Sequence, residues 1–229
     1  MTNRSDPAGK ARPGIILGIE TGSRGLSVAI RKDAMDLARE AAYSDHGQAT
    51  MLMPMIERVR QAAGLAYSDL DRIAVAVGPG SFTGLRVGLA AALGLSLAAG
   101  VPAVGISSFH AACVGLERAA ETRLIIVLDS RREEPFVAEL GLAADFLRAA
   151  CVMTVAELDS YVKSAAPAVL CGDAPVLERY RAWDRIRLQM RIADASGVAF
   201  LAADPERRFD LPPKPVYIRP PDVTMPKPA

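Results

Sequence analysis

The stretch that decides the fold is Ile73-Ala74-Val75-Ala76-Val77-Gly78-Pro79-Gly80-Ser81-Phe82-Thr83-Gly84-Leu85-Arg86, continued by an apolar run to Gly100. Ile73 to Val77 is an unbroken apolar run, as in a strand of a sheet covered on both faces. Within seven residues the chain then leaves the sheet and enters a helix. Gly78, Gly80 and Gly84 supply backbone torsions that a Cβ resists, and Ser81 or Thr83 can accept from the free N–H groups of the first helical turn. Such a turn can cradle an anion. It is not a P-loop, which needs Gly-Lys-Ser/Thr where this chain has Gly84-Leu85-Arg86, and it does not match the dinucleotide fingerprint. The helix from Leu85 to Ala99 is apolar nearly all round and is expected to be buried. Its Gly88, Ala91, Ala92 and Gly94 allow close approach by another backbone.

Upstream, Gly14 to Glu20 reads as a strand, Thr21 to Gly25 as a turn, and Leu26 to Ile30 as the antiparallel partner. Met35 to Tyr43 is a third strand. Gln48 to Ala63 is a helix, with Leu52, Ile56, Val59 and Ala63 at three- and four-residue steps, Met51 and Met55 widening the stripe, and Gly64 ending it. Downstream, Pro102 to Ile106 is a strand, and Ser107 or Ser108 caps a helix from Phe109 to Ala120. Leu124 to Leu128 is a strand ending at Asp129, and Pro135 to Leu140 returns, so a second hairpin follows the first. Thr154 and Glu157 form a capping-box pattern for a helix to Ala166. Val169 to Asp173 is a strand, Ala174 to Trp183 a helix, and Ser196 to Ala203 an apolar helix capped by Ser196. From Pro205 the chain is proline-rich and extended. The expected organisation is a flexible leader 1–13, an α/β lobe 14–107, a second lobe 108–204 and a tail 205–229 that packs back on the lobes.

Composition narrows the function. In 229 residues, half apolar, 27 basic residues stand against 26 acidic ones. No basic excess supports nucleic-acid binding by the chain alone, and no charge pattern supports membrane attachment. The three cysteines lack a Cys-x-x-Cys pair and read as reduced thiols of a cytoplasmic protein. His46 and His110 are the only histidines, far apart in the sequence, so no helical pair of metal ligands exists and no metal site is expected. The same lack, with no nucleophile–base pair, argues against a peptidase.

Leu17-Gly18-Ile19-Glu20-Thr21-Gly22, His46-Gly47-Gln48, Asp69 to Val75, Gly78 to Arg86, Gly105-Ile106-Ser107-Ser108, Asp129 to Glu133 and Pro215 to Thr224 together resemble the TsaB (YeaZ) family, in the family's order and over nearly the whole chain after the leader. The resemblance implies an actin-like fold of the sugar-kinase and Hsp70-type ATPase class, with two related lobes whose hairpin turns face a cleft. It implies a non-catalytic scaffolding and dimerisation subunit for forming N6-threonylcarbamoyladenosine at tRNA position 37. Its partners would be a TsaD-type catalytic subunit, a TsaE-type ATPase and, in isolation, a second copy, with tRNA met only inside the complex. The contacts would run through the two helices 48–63 and 83–99, with Leu52, Met55, Ile56, Val59, Arg86, Val87, Leu89 and Ala90 at the interface. Glu20, Thr21, Gly22, Ser81, Thr83 and Asp129 would face a nucleotide or phosphate. Glu20 stands where this family usually has Asp, which weakens a nucleotide site, so no cofactor is expected beyond weak ATP or ADP binding at a subunit interface. The rival reading is a stand-alone ATPase or small-molecule kinase of the same fold. Arg131, Arg132, Lys214, Arg219 and Lys227 are candidates for tRNA phosphates.

Overall fold

In the computed structural model, residues 14–43, 47–117, 119, 122–141, 143, 145–206 and 208–219 are described. The leader, His46 and the residues after Arg219, Lys227 among them, lie outside them. Strand β1 (Ile15–Glu20) pairs antiparallel with β2 (Leu26–Lys32), from Ile15 opposite Lys32 to Glu20 opposite Ser27. β2 pairs antiparallel with β3 (Met35–Ala42). On its other side β1 runs parallel to β4 (Arg72–Gly78), and β4 parallel to β5 (Ala103–Ser107), giving the order β3-β2-β1-β4-β5.

The second half repeats this plan strand for strand. β6 (Arg123–Leu128), β7 (Phe136–Leu140) and β8 (Phe146–Val152) form the antiparallel meander. β9 (Ala168–Gly172) and β10 (Ile186–Met190) follow in parallel, so the order is β8-β7-β6-β9-β10. Each lobe is an α/β unit built on the same five-stranded sheet, as the two hairpins in the sequence predict.

Period-two alternation explains why β4 is apolar throughout. Ile73, Val75 and Val77 join Leu17 and Ile19 in one core, while Ala74 and Ala76 join Ile16 in another on the opposite face. The first core is roofed by α1 (Gln48–Ala62) and α2 (Phe82–Ala99). The second is shared by the lobes: it holds Ile106, α3 (Ser108–Ala112), α5 (Ala195–Ala202), and Leu124, Ile126 and Leu128 of β6. Ile125 and Val127, facing the other way, meet Leu158 and Val162 of α4 (Val155–Ala165). The capping box of α4 forms as predicted: Glu157 N–H donates to Thr154 Oγ1, and Thr154 N–H donates to Glu157 Oε2 at 2.8 Å.

Several expectations need correcting. Leu52, Met55, Ile56, Val59 and Leu89 are buried in the first lobe's own core, so they roof the sheet and present nothing to a partner. The helix after the glycine-rich turn is not buried all round, because a helix lying on a sheet has only one covered side; its Leu93 and Leu97 are exposed. The stretch predicted as a helix from Ala174 is a 3₁₀ segment, Pro175–Tyr180. α3 stops at Ala112, well short of Ala120. Asp194, not Ser196, caps α5: Gly197 N–H donates to its Oδ1 at 2.7 Å. β8 and β10 have no counterpart in the sequence reading. α5 follows the last strand of the second lobe yet lies on the first sheet, above Gly18, where a Cβ would overlap the Ala195 carbonyl.

Candidate functional site

The two lobes meet at the turns of their hairpins. Glu20 ends β1 and is buried. Its Oε1 accepts from Gly22 N–H at 2.7 Å and from Ser23 N–H at 3.0 Å, and its Oε2 accepts from the Ser23 hydroxyl. The turn is held from below by the glycine-rich segment. Ser81 N–H donates to the Gly22 carbonyl at 2.7 Å, and the Thr21 hydroxyl donates to the Gly84 carbonyl at 2.8 Å. A Cβ at Gly84 would overlap the Thr21 carbonyl, and one at Gly80 would sit 2.6 Å from the Gly22 carbonyl oxygen. These glycines are required by the close approach of two backbones.

From the other lobe, Asp129 ends β6 and pairs with the Arg24 guanidinium at 2.8 Å. Arg131 Nη2 donates to the Ser23 carbonyl at 3.1 Å, and Asp129 N–H donates to Asp173 Oδ1 at 2.9 Å. Glu20, Ser23, Ser108, Asp129 and Asp173 enclose a chamber of about 10 Å³, room for one water. The buried Ser108 hydroxyl on its wall has no hydrogen-bond partner. Burial pushes the Glu20 carboxyl up to about 7, against the lowering effect of its hydrogen bonds, and facing Asp173 pushes the same way. Burial likewise raises Asp173.

Beside this joint a groove of about 750 Å³ runs between β2, β3 and the start of α5, with Arg31, Arg39, Arg191, Tyr43 and Phe200 on its walls together with Glu20, Ser23 and Arg24. Of the six residues predicted to face a phosphate, Glu20, Gly22 and Asp129 come together at the joint. Thr21 instead points under α2, Ser81 caps α2 by accepting from Gly84 N–H at 3.3 Å, and Thr83 is exposed outside the chamber. The actin-like fold implies a nucleotide between the lobes, and the joint does not fit one: its donors already hold a carboxyl group, and three acidic side chains line its wall.

The second feature is the outer face of α2. Arg86, Ala90, Leu93 and Leu97 recur at helical spacing and are all exposed, Leu97 by 87%. At the N-terminal end, Arg86 lies 3.7 Å from the Phe82 ring centroid and donates to the Tyr217 hydroxyl at 3.1 Å. Val87 is half-buried at the margin, and α1 beside it adds exposed Met53. By length and composition alone α2 would also cross a membrane, but its inner side packs Leu85, Leu89 and Ala92 against the sheet. The tail straps the two lobes: Leu211 bridges to Gly105, Val216 N–H donates to the Val77 carbonyl at 2.8 Å, and Arg219 pairs with Glu134 at 2.8 Å. Arg131 and Arg132 lie in a groove with Arg219 between the glycine-rich turn and the tail. Among the described residues no cluster of His, Cys, Asp or Glu could hold a metal.

Ser23, Ser108 and Asp173 at the joint and Leu93 and Leu97 on α2 escaped the sequence reading. One signal was available. Glu20, Asp129 and Asp173 each stand at or just past the end of an apolar strand.

The family model for TsaD, tRNA N6-adenosine threonylcarbamoyltransferase, matches residues 40–173, more than half the chain. The TsaB protein of Escherichia coli K12 is 34% identical over 126 residues, 54% of each chain. A crystal structure from Pseudomonas aeruginosa, described as similar to peptidase YeaZ, superposes with a TM-score of 0.71 at 22% identity, covering 90% of this chain and all of that one. The chain belongs to the TsaB/YeaZ branch of this family. It spans about half the length of the curated relatives it matches. The fold extends to the 2-hydroxyisocaproyl-CoA dehydratase activator of Clostridium difficile, solved with bound ADPNP, at a TM-score of 0.54 and 14% identity over 83% of this chain and 94% of that one. The fold is thus the actin-like fold that the family resemblance implies.

Proposed function

We propose that this chain is a non-catalytic scaffolding subunit in the formation of N6-threonylcarbamoyladenosine at tRNA position 37, working in the cytoplasm. It docks a TsaD-type catalytic subunit, or a second copy of itself when alone, through the outer face of α2. The observation that carries this reading is that face: an apolar stripe of Ala90, Leu93 and Leu97, bounded by the preordered Arg86–Phe82–Tyr217 cluster. Contiguous exposed apolar surface marks an interaction site, and aromatic and arginine residues are the usual anchors. The names of the relatives support the pathway. The two histidines, His46 and His110, do not stand at the helical spacing of a metal-ligand pair, which supports a role without metal chemistry. In this reading a TsaE-type ATPase joins the complex, and tRNA is met only within it.

Size-exclusion chromatography of the purified chain mixed with the TsaD-type subunit tests the reading. Co-elution is expected, and it is lost in Leu93→Glu/Leu97→Glu while the variant keeps its melting temperature. Failure of the wild-type pair to co-elute at concentrations well above micromolar overturns it.

A further inference from the structure

The joint between the lobes contains an anion-binding arrangement that already has an occupant. Two successive backbone N–H groups, Gly22 and Ser23, and the Ser23 hydroxyl converge on one carboxyl group, that of Glu20. Consecutive N–H groups in a turn form a concave nest for anions. Here the carboxyl group that fills the nest is covalently part of the strand that leads into the turn. We propose that the Glu20 carboxyl is the permanent occupant of this cradle, so that the cleft of this chain is a structural joint and does not take nucleotide phosphates.

The surroundings of the cradle add to the exclusion. The groove beside the joint, about 750 Å³, is of the size that holds a small-molecule ligand, and it shares Glu20 and Ser23 with the chamber. A phosphate reaching those residues would need the donors that Glu20 holds. The cation next to them in the chain, Arg24, is neutralised by Asp129 at 2.8 Å. Across the chamber, Asp129 and Asp173 add carboxyl groups from the second lobe, so a polyanion there would meet three acidic side chains. Admitting a ligand by parting the lobes would also break the Arg24–Asp129 pair and the Arg131 bond to the Ser23 carbonyl. The remaining space, about 10 Å³, suits one water that would partner the Ser108 hydroxyl.

The test is thermal melting and calorimetric titration of the wild type, Glu20→Gln and Glu20→Ala, with magnesium ATP and with formate as probes. Wild type and Glu20→Gln, in which the amide oxygen still fills the cradle, are expected to show no saturable response to either probe. Glu20→Ala leaves the Gly22 and Ser23 donors without a partner, so it melts lower. Formate, a free carboxylate, restores at least half of that loss. Saturable ATP binding by the wild type or by Glu20→Gln overturns the proposal, as does a folded Glu20→Ala that formate leaves unchanged. If the alanine variant does not fold, the first two proteins decide the matter. Co-elution with the TsaD-type subunit is read separately, so failure here leaves the docking reading intact.

Discussion

Helices α1 and α2 lie side by side on the first sheet and use their apolar residues in opposite ways. α1 concentrates them in one stripe, Leu52, Met55, Ile56 and Val59, and buries that stripe. Its other faces are mainly polar, with Glu57, Arg58 and Gln61 beside one exposed apolar residue, Met53. α2 is apolar on both sides and buries only Gly84, Leu85, Gly88, Leu89 and Ala92. A polar outer face needs nothing beyond water. An apolar one, exposing Leu93 and Leu97, is a surface awaiting cover. A periodic stripe therefore marks the inside of this chain, and the lack of periodicity in α2 leaves an apolar face outside it.

The strongest way to break this contrast is to attack the stripe of α1. Ile56→Ala should cost about 2–5 kcal/mol in urea unfolding, the range for emptying a filled core site. A cost below about 0.5 kcal/mol would mean that α1 does not hold the lobe together.

The joint beneath α2 gives the next largest effect. Because burial raises the Glu20 carboxyl from 4.5 to about 7, the folded state holds a proton that the unfolded chain has lost across that window. Stability from this group is therefore full below pH 4.5, falls as pH rises towards 7, and is lost above it. The groups facing Glu20 are Asp173 and Asp129 from the second lobe, with Arg24 and Arg131 compensating part of their charge. The drop is about 3 kcal/mol at most by the linkage relation, and Glu20→Gln should flatten it. Chemical denaturation of both proteins at a series of pH values reads the difference directly.

The inner side of α2 comes third. In an exposed helix Gly→Ala gains about 1 kcal/mol. At Gly84 the new Cβ would overlap the Thr21 carbonyl, which is backbone and cannot swing away, so the sign reverses and about 1–3 kcal/mol is lost. A stabilised Gly84→Ala would show that the turn does not lie against α2. The smallest change in stability is expected at Leu97→Glu, within about 0.5 kcal/mol, although the same variant should weaken co-elution with a partner. A large loss of stability there would place Leu97 inside the chain and erase the contrast between the two helices.

The sequence made much of this fold legible. β1, β4, β6 and β9 are unbroken apolar runs because their sheets are covered on both faces, and the capping box of α4 is a local rule obeyed locally. β8 and β10 were not legible, because edge strands such as Phe146–Val152 mix exposed apolar side chains with arginine and lack a clean alternation. The joint was half legible. Glu20 and Asp129 stand at the tips of recognisable hairpins, whereas Ser108 and Asp173 reach the chamber only through the superposed plan of the two sheets. That Glu20 turns back onto Gly22 and Ser23 was not legible, because a hairpin pattern marks the position of a carboxyl group and not the donors it meets.

The position of α5 has a consequence for how the protein comes into being. Residues 195–202 follow every strand of both sheets in chain order, yet they cover Gly18 in the first strand made. As the polypeptide leaves the ribosome, the first sheet gains its α1 and α2 roof early, but its other side has only the short α3 until the second lobe has been synthesised and α5 follows. The two lobes are therefore not beads on a string that mature one after the other. A gene cut between them would yield an early half lacking one wall of its own core.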